Sequence, residues 1–319
     1  MTSKLPAEKL QQLLAALFPD RANLRLTGQD RLEGGVECDT FRLDLIFRLQ
    51  QSWQQQSMVL RLFPDKMGAI KAGREENSLR WLNQAGFPVP RLFYAALDGQ
   101  PLGKPFTLTE FSPGILLQAR LLDDQAPDRA DLVTAFCQLF VRLHSLDIPD
   151  GESGLTRHDI LARLDALVPS SFKLGFEPAL AWLRAQDIHR WDTAVTHNDF
   201  SPNNILLQPD GRLVVIDWTG FILFDPRADL SWTLFTLQLN GLGEWETAVF
   251  QQYCQFSPRP VDQIDYFKGL VAVRFLAYMA RLADFQGPDA VAHPFLQTAI
   301  HNARQQFTAV SGINLPLLS

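Results

Sequence analysis

Asp199, Asn204 and Asp217 have the types and the spacing that metal-assisted proton transfer requires. Asp199 and Asn204 precede one short apolar run, and Asp217 ends the next. Between the two runs, residues 208–212 read Gln-Pro-Asp-Gly-Arg, which supplies the proline and glycine of a tight turn. The pattern predicts a β-hairpin with a polar, oxygen-bearing side chain at each outer end.

The expected register of this hairpin brings two oxygen ligands together. If Gln208 pairs with Leu213, then Asn204 lies opposite Asp217 on the same face. Directly opposed residues have Cβ atoms about 5 Å apart, so an amide oxygen and a carboxylate can converge on one cation. Magnesium prefers hard oxygen ligands, takes few of them from protein, and completes its shell with water and phosphate. The hairpin therefore predicts a magnesium site made by Asn204 and Asp217.

Asp199 has a separate predicted role as the group that orients a substrate hydroxyl and accepts its proton. Taken singly, each of the three polar residues could be a turn or helix-capping residue. Their occurrence together favours catalysis. His197 is expected to brace the loop through backbone contacts and not to transfer protons.

The composition argues against several partners. The chain has 319 residues with 29 basic and 35 acidic side chains, and this net charge of −6 disfavours nucleic-acid and anionic-membrane surfaces. Three widely spaced cysteines predict free thiols in a reducing compartment, and the N-terminus lacks a secretory pattern, so we expect a cytoplasmic location. The apolar stretch 267–285 contains Arg274 and Arg281, which predicts a packed helix and not a membrane span.

The residues before position 108 are rich in β-formers and glycine. Gly34 and Gly35 can adopt the positive φ angles of a tight hairpin, or form a loop that covers phosphates. The periodicity predicts strands at 24–33, 37–49 and 58–63, a glutamine-rich polar loop at 50–56, and helices at 6–18 and 68–84.

A proline- and glycine-containing connector at 109–114 separates this region from one dominated by helical periodicity. Within the later region, apolar residues at 128–146 recur at steps of three and four, which predicts a buried helix face. We therefore predict an α+β bilobal fold. Residues 1–108 are predicted to form a β-rich lobe, and residues 115–319 a mainly helical lobe that contains Asp199, Asn204 and Asp217.

Three motifs carry a resemblance to known kinases. The pattern His-x-Asp-x-x-x-x-Asn from His197 resembles the protein-kinase catalytic loop. Ile-Asp-Trp around Asp217 and Asp-Pro-Arg-Ala-Asp-Leu from Asp225 resemble motifs of the aminoglycoside phosphotransferase and choline kinase-like family. Asp225 follows Asp217 by eight residues, which leaves no room for the long activation segment of protein kinases.

The resemblance implies roles for further residues. Arg61 corresponds to the strand residue that binds nucleotide phosphates, and Glu75 to its acidic partner on a helix. The backbone near Glu110 and Phe111 corresponds to the adenine contact. Asp225 and Asp229 are expected to hold the catalytic loop and cap the next helix, and Asn198 stands where the family often has glycine.

The family resemblance implies a small-molecule kinase that uses ATP and Mg²⁺ and transfers the γ-phosphate to a hydroxyl of an aminoglycoside, amino alcohol or sugar-like acceptor. The partners implied are a nucleotide and a small-molecule acceptor, and the sequence contains no sign of the oligomeric state. Two alternatives stay open at this point: a protein kinase, which the short Asp217–Asp225 spacing disfavours, and a catalytically silent nucleotide-binding protein, which the complete set of polar residues disfavours.

Overall fold

The computed structural model of the chain describes residues 6–32, 38–63, 67–148 and 151–315. The predicted hairpin glycines, Gly34 and Gly35, lie outside these ranges. The chain divides into two compact units, Met1–Ile115 with Ile205–Phe221 and Leu116–Asn204 with Ile222–Ser319. No helix within the described ranges is long and apolar enough to cross a membrane.

The first unit contains a five-stranded antiparallel sheet in the order β1-β2-β3-β5-β4. Alternate residues of β2, such as Phe41, Leu43 and Leu45, are buried in its core, because successive side chains of a strand point to opposite faces. The elements are α1 (Ala7–Leu17), β1 (Ala22–Leu32), β2 (Asp39–Leu49), β3 (Ser52–Leu62), α2 (Gly68–Gln84), β4 (Leu92–Ala96) and β5 (Phe106–Glu110).

The predicted polar loop at 50–56 is wrong. Strand β3 begins at Ser52, which pairs with Leu49, so only Gln50 and Gln51 form the turn. Gln50 has a positive φ of 55°, as the tight turn requires. The first residues of β3 are exposed, so polar side chains are compatible with strand pairing there and the apolar alternation starts only at Met58.

After the short strand β6 (Ile115–Leu116), the second unit contributes β7 (Ala194–Thr196), and the chain then returns to the first unit as the hairpin β8 (Ile205–Leu207) and β9 (Leu213–Val215). Leu207 pairs with Leu213, so the predicted register, with Gln208 opposite Leu213, is wrong by one residue. The reason is the turn: Gln208 N–H donates to the Arg212 carbonyl, and Gly211 has a φ of +84°. A three-residue loop with glycine in the left-handed region closes the hairpin.

The second unit is mainly helical. Its core lies between α6, α9 and α10 and includes Phe176, Phe267, Leu276 and Phe307. A two-stranded antiparallel ladder joins β7 to β10 (Ile222–Phe224). The helices are α3 (Leu117–Leu121), α4 (Arg129–His144), α5 (Arg157–Leu167), α6 (Lys173–Ala185), α7 (Pro226–Leu239), α8 (Glu246–Phe256), α9 (Ile264–Gln286) and α10 (Pro294–Ser311).

Candidate active site

The first unit contains a buried charge cluster centred on Arg61 of β3. One guanidinium nitrogen, Nη1, donates to Glu75 Oε1 on α2, so the predicted ion pair is present. The other, Nη2, donates to Asp217 Oδ1 at 2.7 Å. Thr107 Oγ1 donates to Glu75 Oε2 at 2.6 Å, so both oxygens of this 2% exposed carboxylate are held.

Electrostatics fix the charge of Arg61. Burial acts to lower the pKa of Arg61, but the negative charges of Glu75 and Asp217 outweigh burial and hold that pKa well above its usual value. The guanidinium therefore stays charged at neutral pH. A charged guanidinium can also bind phosphate oxygens, although here two carboxylates already accept hydrogen bonds from Nη1 and Nη2.

The residue that completes the Glu75 contacts, Thr107, was missed by the sequence analysis. The signal for it is the register: Thr107 lies opposite Arg61 in the β3–β5 ladder and is fully buried between the apolar residues Phe106 and Leu108. A buried threonine needs a hydrogen-bond partner. The pairing of β3 with β5 therefore indicates that Thr107 contacts the Arg61–Glu75 ion pair.

Asp217 follows β9 and has a left-handed backbone with a φ of 64°. This conformation cannot continue a β-ladder. Asn204 likewise lies before β8, in the 3₁₀ turn Pro202–Asn204. The argument from a directly opposed ladder pair is therefore wrong, and the shared magnesium site of Asn204 and Asp217 stays a prediction. Asp217 Oδ1 also accepts a hydrogen bond from Thr219 Oγ1 at 3.0 Å.

The connector residues Glu110 and Phe111 lie at the end of β5. Glu110 N–H donates to the Arg91 carbonyl at 2.8 Å, and Phe111 N–H donates to the Ser57 carbonyl at 3.3 Å. The Arg42 guanidinium lies 4.7 Å from the centre of the Phe111 ring. These contacts fix the connector backbone in the first unit, and its adenine-binding role stays a prediction.

In the second unit, the Asp199 carboxylate is exposed but held at both oxygens. Trp232 Nε1 on α7 donates to Oδ1 at 2.9 Å, and Asn204 Nδ2 donates to Oδ2 at 2.8 Å. Asn204 Nδ2 also donates to the Asp199 backbone carbonyl at 2.9 Å. The amide nitrogen of Asn204 is thereby turned toward Asp199, which leaves its side-chain oxygen as the atom for a cation.

Asp229 of α7 holds the loop that carries Asp199. Its carboxylate accepts hydrogen bonds from His197 N–H at 2.8 Å and from Asn198 N–H at 2.9 Å. Asn198 has a φ of 63°, a conformation that asparagine tolerates better than most side chains. Asp229 is completely buried, so its charge is stabilised by these donors and not by water.

Two further side chains extend this network. His144 Nε2 lies 3.2 Å from Asp229 Oδ2, and His144 Nδ1 lies 2.6 Å from the Tyr253 hydroxyl. Burial raises the pKa of Tyr253, and the charge of Asp229 raises it further, so the phenol stays protonated. A carboxylate only accepts, so Nε2–H donates to Asp229, and in this neutral tautomer Nδ1 accepts from the Tyr253 hydroxyl.

Asp225 is the N-cap of α7, and its side chain accepts from Arg227 N–H at 3.0 Å. The Arg227 guanidinium, 2% exposed, also pairs with Asp225 at 2.8 Å and with Asp262 at 2.8 Å. The Asp192 N–H donates to Asp225 at 2.9 Å. These contacts anchor the start of the helix that carries both Trp232 and Asp229.

Arg227→Met is expected to lower the free energy of unfolding by about 3–5 kcal/mol, because it leaves the buried Asp225 charge without its ion-pair partner. Urea denaturation of wild type and variant measures this loss. The control is Arg212→Met, which removes an exposed guanidinium paired with Asp210 at 2.7 Å and should cause a much smaller loss, because solvent screens an exposed ion pair. Equal losses in the two variants would show that Arg227 contributes no more than a surface ion pair.

Several aromatic residues in the second half of the chain are typical of core packing, and a cage for a cationic acceptor is the alternative hypothesis; they are Trp218, Trp232, Trp245, Tyr253 and Tyr278. The structure buries Tyr253 in the helical unit and Trp218 completely in the first unit, while Tyr278 is 55% exposed. Trp232 instead donates to Asp199. The buried Trp218 and Tyr253 are core residues and cannot line a cage. No sequence signal separates Trp232 from the core aromatics, because its contact with Asp199 depends on the packing of α7 beside the loop.

Comparisons with known proteins agree with these features. The family model of the phosphotransferase enzyme family, APH, matches residues 31–264. An aminoglycoside 3'-phosphotransferase of Streptomyces fradiae is 28% identical over 185 residues, which is 54% of this chain and 67% of that protein. The mouse acyl-CoA dehydrogenase family member 10 is 27% identical over 183 residues, 52% of this chain, so the match spans only 17% of that relative.

A solved structure shows the fold over most of the chain. A thermostable mutant of the aminoglycoside phosphotransferase APH(4)-Ia, in a ternary complex with AMP-PNP and hygromycin B, superposes with a TM-score of 0.65. The match covers 96% of this chain and 100% of that one at 15% identity. With the family model matching well over half of the residues, the chain belongs to the phosphotransferase enzyme family and has its protein-kinase-like α+β fold.

Proposed function

We propose that this chain is an ATP-dependent small-molecule kinase that transfers the γ-phosphoryl group to a hydroxyl of its acceptor. The observation that carries the proposal is the exposed Asp199 carboxylate, which Trp232 and Asn204 hold at both oxygens. A carboxylate fixed in this way can orient a hydroxyl and accept its proton as the phosphoryl group is transferred.

The side chains proposed as metal ligands have the chemistry that magnesium prefers. Asn204 and Asp217 offer an amide oxygen and a carboxylate, the hard donors that Mg²⁺ takes in small number from protein. When bound, Mg²⁺ neutralises charge that develops on the transferred phosphoryl group. Arg61, with Glu75 as its buried partner, is proposed to bind the nucleotide phosphates.

Other parts of the chain have supporting roles in this proposal. The lobe 1–108, including Gly34 and Gly35, and the connector 109–114, including Glu110 and Phe111, bind the nucleotide. The lobe 115–319 supplies the acceptor site, and His197, Asp225 and Asp229 support its catalytic loop.

The proposal includes a cytoplasmic location, which is supported by three free cysteines among the described residues. The binding partners proposed are the nucleotide and a hydroxyl-bearing acceptor: an aminoglycoside, an amino alcohol or a sugar-like compound. The relatives support this class, because one carries the name of an aminoglycoside kinase and another binds AMP-PNP with hygromycin B.

An ATP-consumption screen tests the proposed activity. Wild-type protein with Mg²⁺ is incubated with aminoglycosides, amino alcohols, sugars and hydroxy acids, and phosphorylated products are identified by mass spectrometry. Asp199→Asn is the inactive control. Phosphorylation of a peptide library in preference to every small molecule would favour a protein kinase, and nucleotide binding without any transfer would favour a silent nucleotide-binding protein.

Arg61→Ala should weaken ATP binding about 10- to 100-fold, because hydrogen bonds to charged groups contribute about 1.5–3 kcal/mol each. Calorimetry with Mg²⁺–ATP measures this change. Arg48→Ala removes an exposed arginine of the neighbouring strand β2 and should leave the affinity unchanged. If Arg61→Ala bound ATP as wild type does, the proposed phosphate-binding role of Arg61 would be wrong.

A further inference from the structure

A partly buried arginine, Arg274 of α9, lies beside the catalytic loop in the second unit. Its Nη1 donates to Asn198 Oδ1 at 3.2 Å, and its guanidinium carbon lies 5.6 Å from the centre of the Trp232 ring. Trp232 is the residue that donates to Asp199. Arg274 therefore lies next to the group that handles the acceptor hydroxyl.

The carboxylates near Arg274 have other partners. The Asp229 oxygens accept from the backbone of His197 and Asn198 and contact the His144 ring. The Asp199 oxygens accept from Trp232 and Asn204. Among the residues that the structure describes, Arg274 forms no ion pair and makes one hydrogen bond, although its fork carries five N–H donors.

Partial burial of the Arg274 charge without an ion-pair partner costs free energy, which a bound anionic ligand would offset. Burial lowers the pKa of Arg274, and the charges of Asp229 and Asp199 only partly oppose that effect. Arginine nevertheless stays charged, so its remaining donors are held in a partly dehydrated environment without a fixed acceptor. By contrast, the guanidinium of Arg227 in the same unit forms ion pairs with the carboxylates of Asp225 and Asp262.

We propose that Arg274 binds an oxyanion group, a carboxylate or a phosphate, of the acceptor while Asp199 receives the acceptor hydroxyl. This inference rests on the proposed kinase function and narrows its acceptor class. The planar fork of arginine matches two oxygens of a carboxylate or phosphate, and the Trp232 ring lies within cation–π distance of the guanidinium. An acceptor with several positive charges would be repelled by Arg274 at the catalytic loop.

A matched set of three-carbon probes tests the proposal by binding. Glycerate carries a carboxylate, glycerol 3-phosphate a phosphate, glycerol no charge and serinol a positive charge. Dissociation constants are measured by ligand-observed NMR with the protein saturated in Mg²⁺–AMP-PNP, so that the nucleotide phosphates already occupy their own site. We expect at least one anionic probe to bind about tenfold or more tightly than glycerol, as one charge-assisted hydrogen-bond pair provides. Comparison of the two anions identifies the oxyanion.

The variants separate the side chain from general charge effects. Arg274→Met should remove the preference for the anion, and Arg274→Lys should retain part of it. Arg281→Met, an exposed arginine on the same helix, should behave as wild type. Circular dichroism confirms that each variant is folded.

The inference would be overturned if wild type bound glycerol or serinol as tightly as both anions, or if it bound none of the probes. It would also be overturned if Arg274→Met kept the preference for an anion. Failure of the kinase proposal is separately visible, either as the absence of phosphoryl transfer in the ATP-consumption screen or as the absence of Mg²⁺–AMP-PNP binding before any probe is added. The anion titration is then repeated without nucleotide in an Arg61→Ala background, which removes the arginine of the first unit.

Discussion

Asp199→Asn is expected to lower kcat by about 10²- to 10⁴-fold, the range that a positioned general base contributes, with Mg²⁺–ATP affinity close to that of wild type. The amide keeps the shape of the side chain but loses its charge and basicity. It also places an NH₂ group where a carboxylate oxygen now accepts from Trp232 or from Asn204. Steady-state kinetics with an acceptor from the screen, and calorimetry with Mg²⁺–ATP, measure the two effects.

Two controls define this result. Asp210→Asn makes the same chemical change in the exposed hairpin turn and should leave kcat unchanged. Trp232→Phe removes the donor to Asp199 Oδ1 but keeps the carboxylate and an aromatic ring, so its loss of kcat should be smaller than that of Asp199→Asn. If Asp199→Asn kept near-native turnover while nucleotide affinity collapsed, the roles proposed for Asp199 and Asp217 would be reversed.

Asp217→Asn should weaken Mg²⁺–ATP binding about 10- to 100-fold and lower turnover as well, because it removes the only formal negative charge of the proposed metal site. Asparagine suits the left-handed backbone at this position, so the fold should be retained. Calorimetry over a series of Mg²⁺ concentrations measures the metal dependence.

Titration with ATP in the presence of a chelator is the control for the metal. Under that condition, Asp217→Asn should bind ATP at least as well as wild type, because it removes a carboxylate that both repels phosphate and pairs with Arg61. An unchanged Mg²⁺ dependence in the variant, with a loss confined to turnover, would contradict the role of Asp217 as a metal ligand.

Helix α2 was predictable from the sequence because local signals suffice for it. Its bounds, Gly68–Gln84, agree with the periodicity and the following Gly-Phe-Pro stop signal. The hairpin after Asn204 was predictable as a hairpin but not in register, since adding one residue to the turn changes every cross-strand pair. The left-handed glycine at Gly211 is the detail that decides between the two registers.

The candidate site divides in the same way. The motifs point to Asp199, Asn204 and Asp217 because these residues lie close together in sequence. Thr107, Trp232 and Arg274 each meet their partners over 30 or more positions of chain, so only the packed structure reveals their contacts. Sequence periodicity assigned Trp232 to the core or a cage, because a helix pattern cannot show what lies beyond the buried face.

The left-handed backbone at Asn198 tolerates an exchange of asparagine for glycine. A φ of 63° is open to glycine and, among residues with side chains, most readily to asparagine, so the exchange of one for the other leaves the loop path unchanged. A glycine would keep both the loop and the hydrogen bond from the backbone N–H to Asp229, but it would offer no acceptor to Arg274. A substitution at this one position can therefore remove the partner of Arg274 while the backbone that presents Asp199 keeps its path.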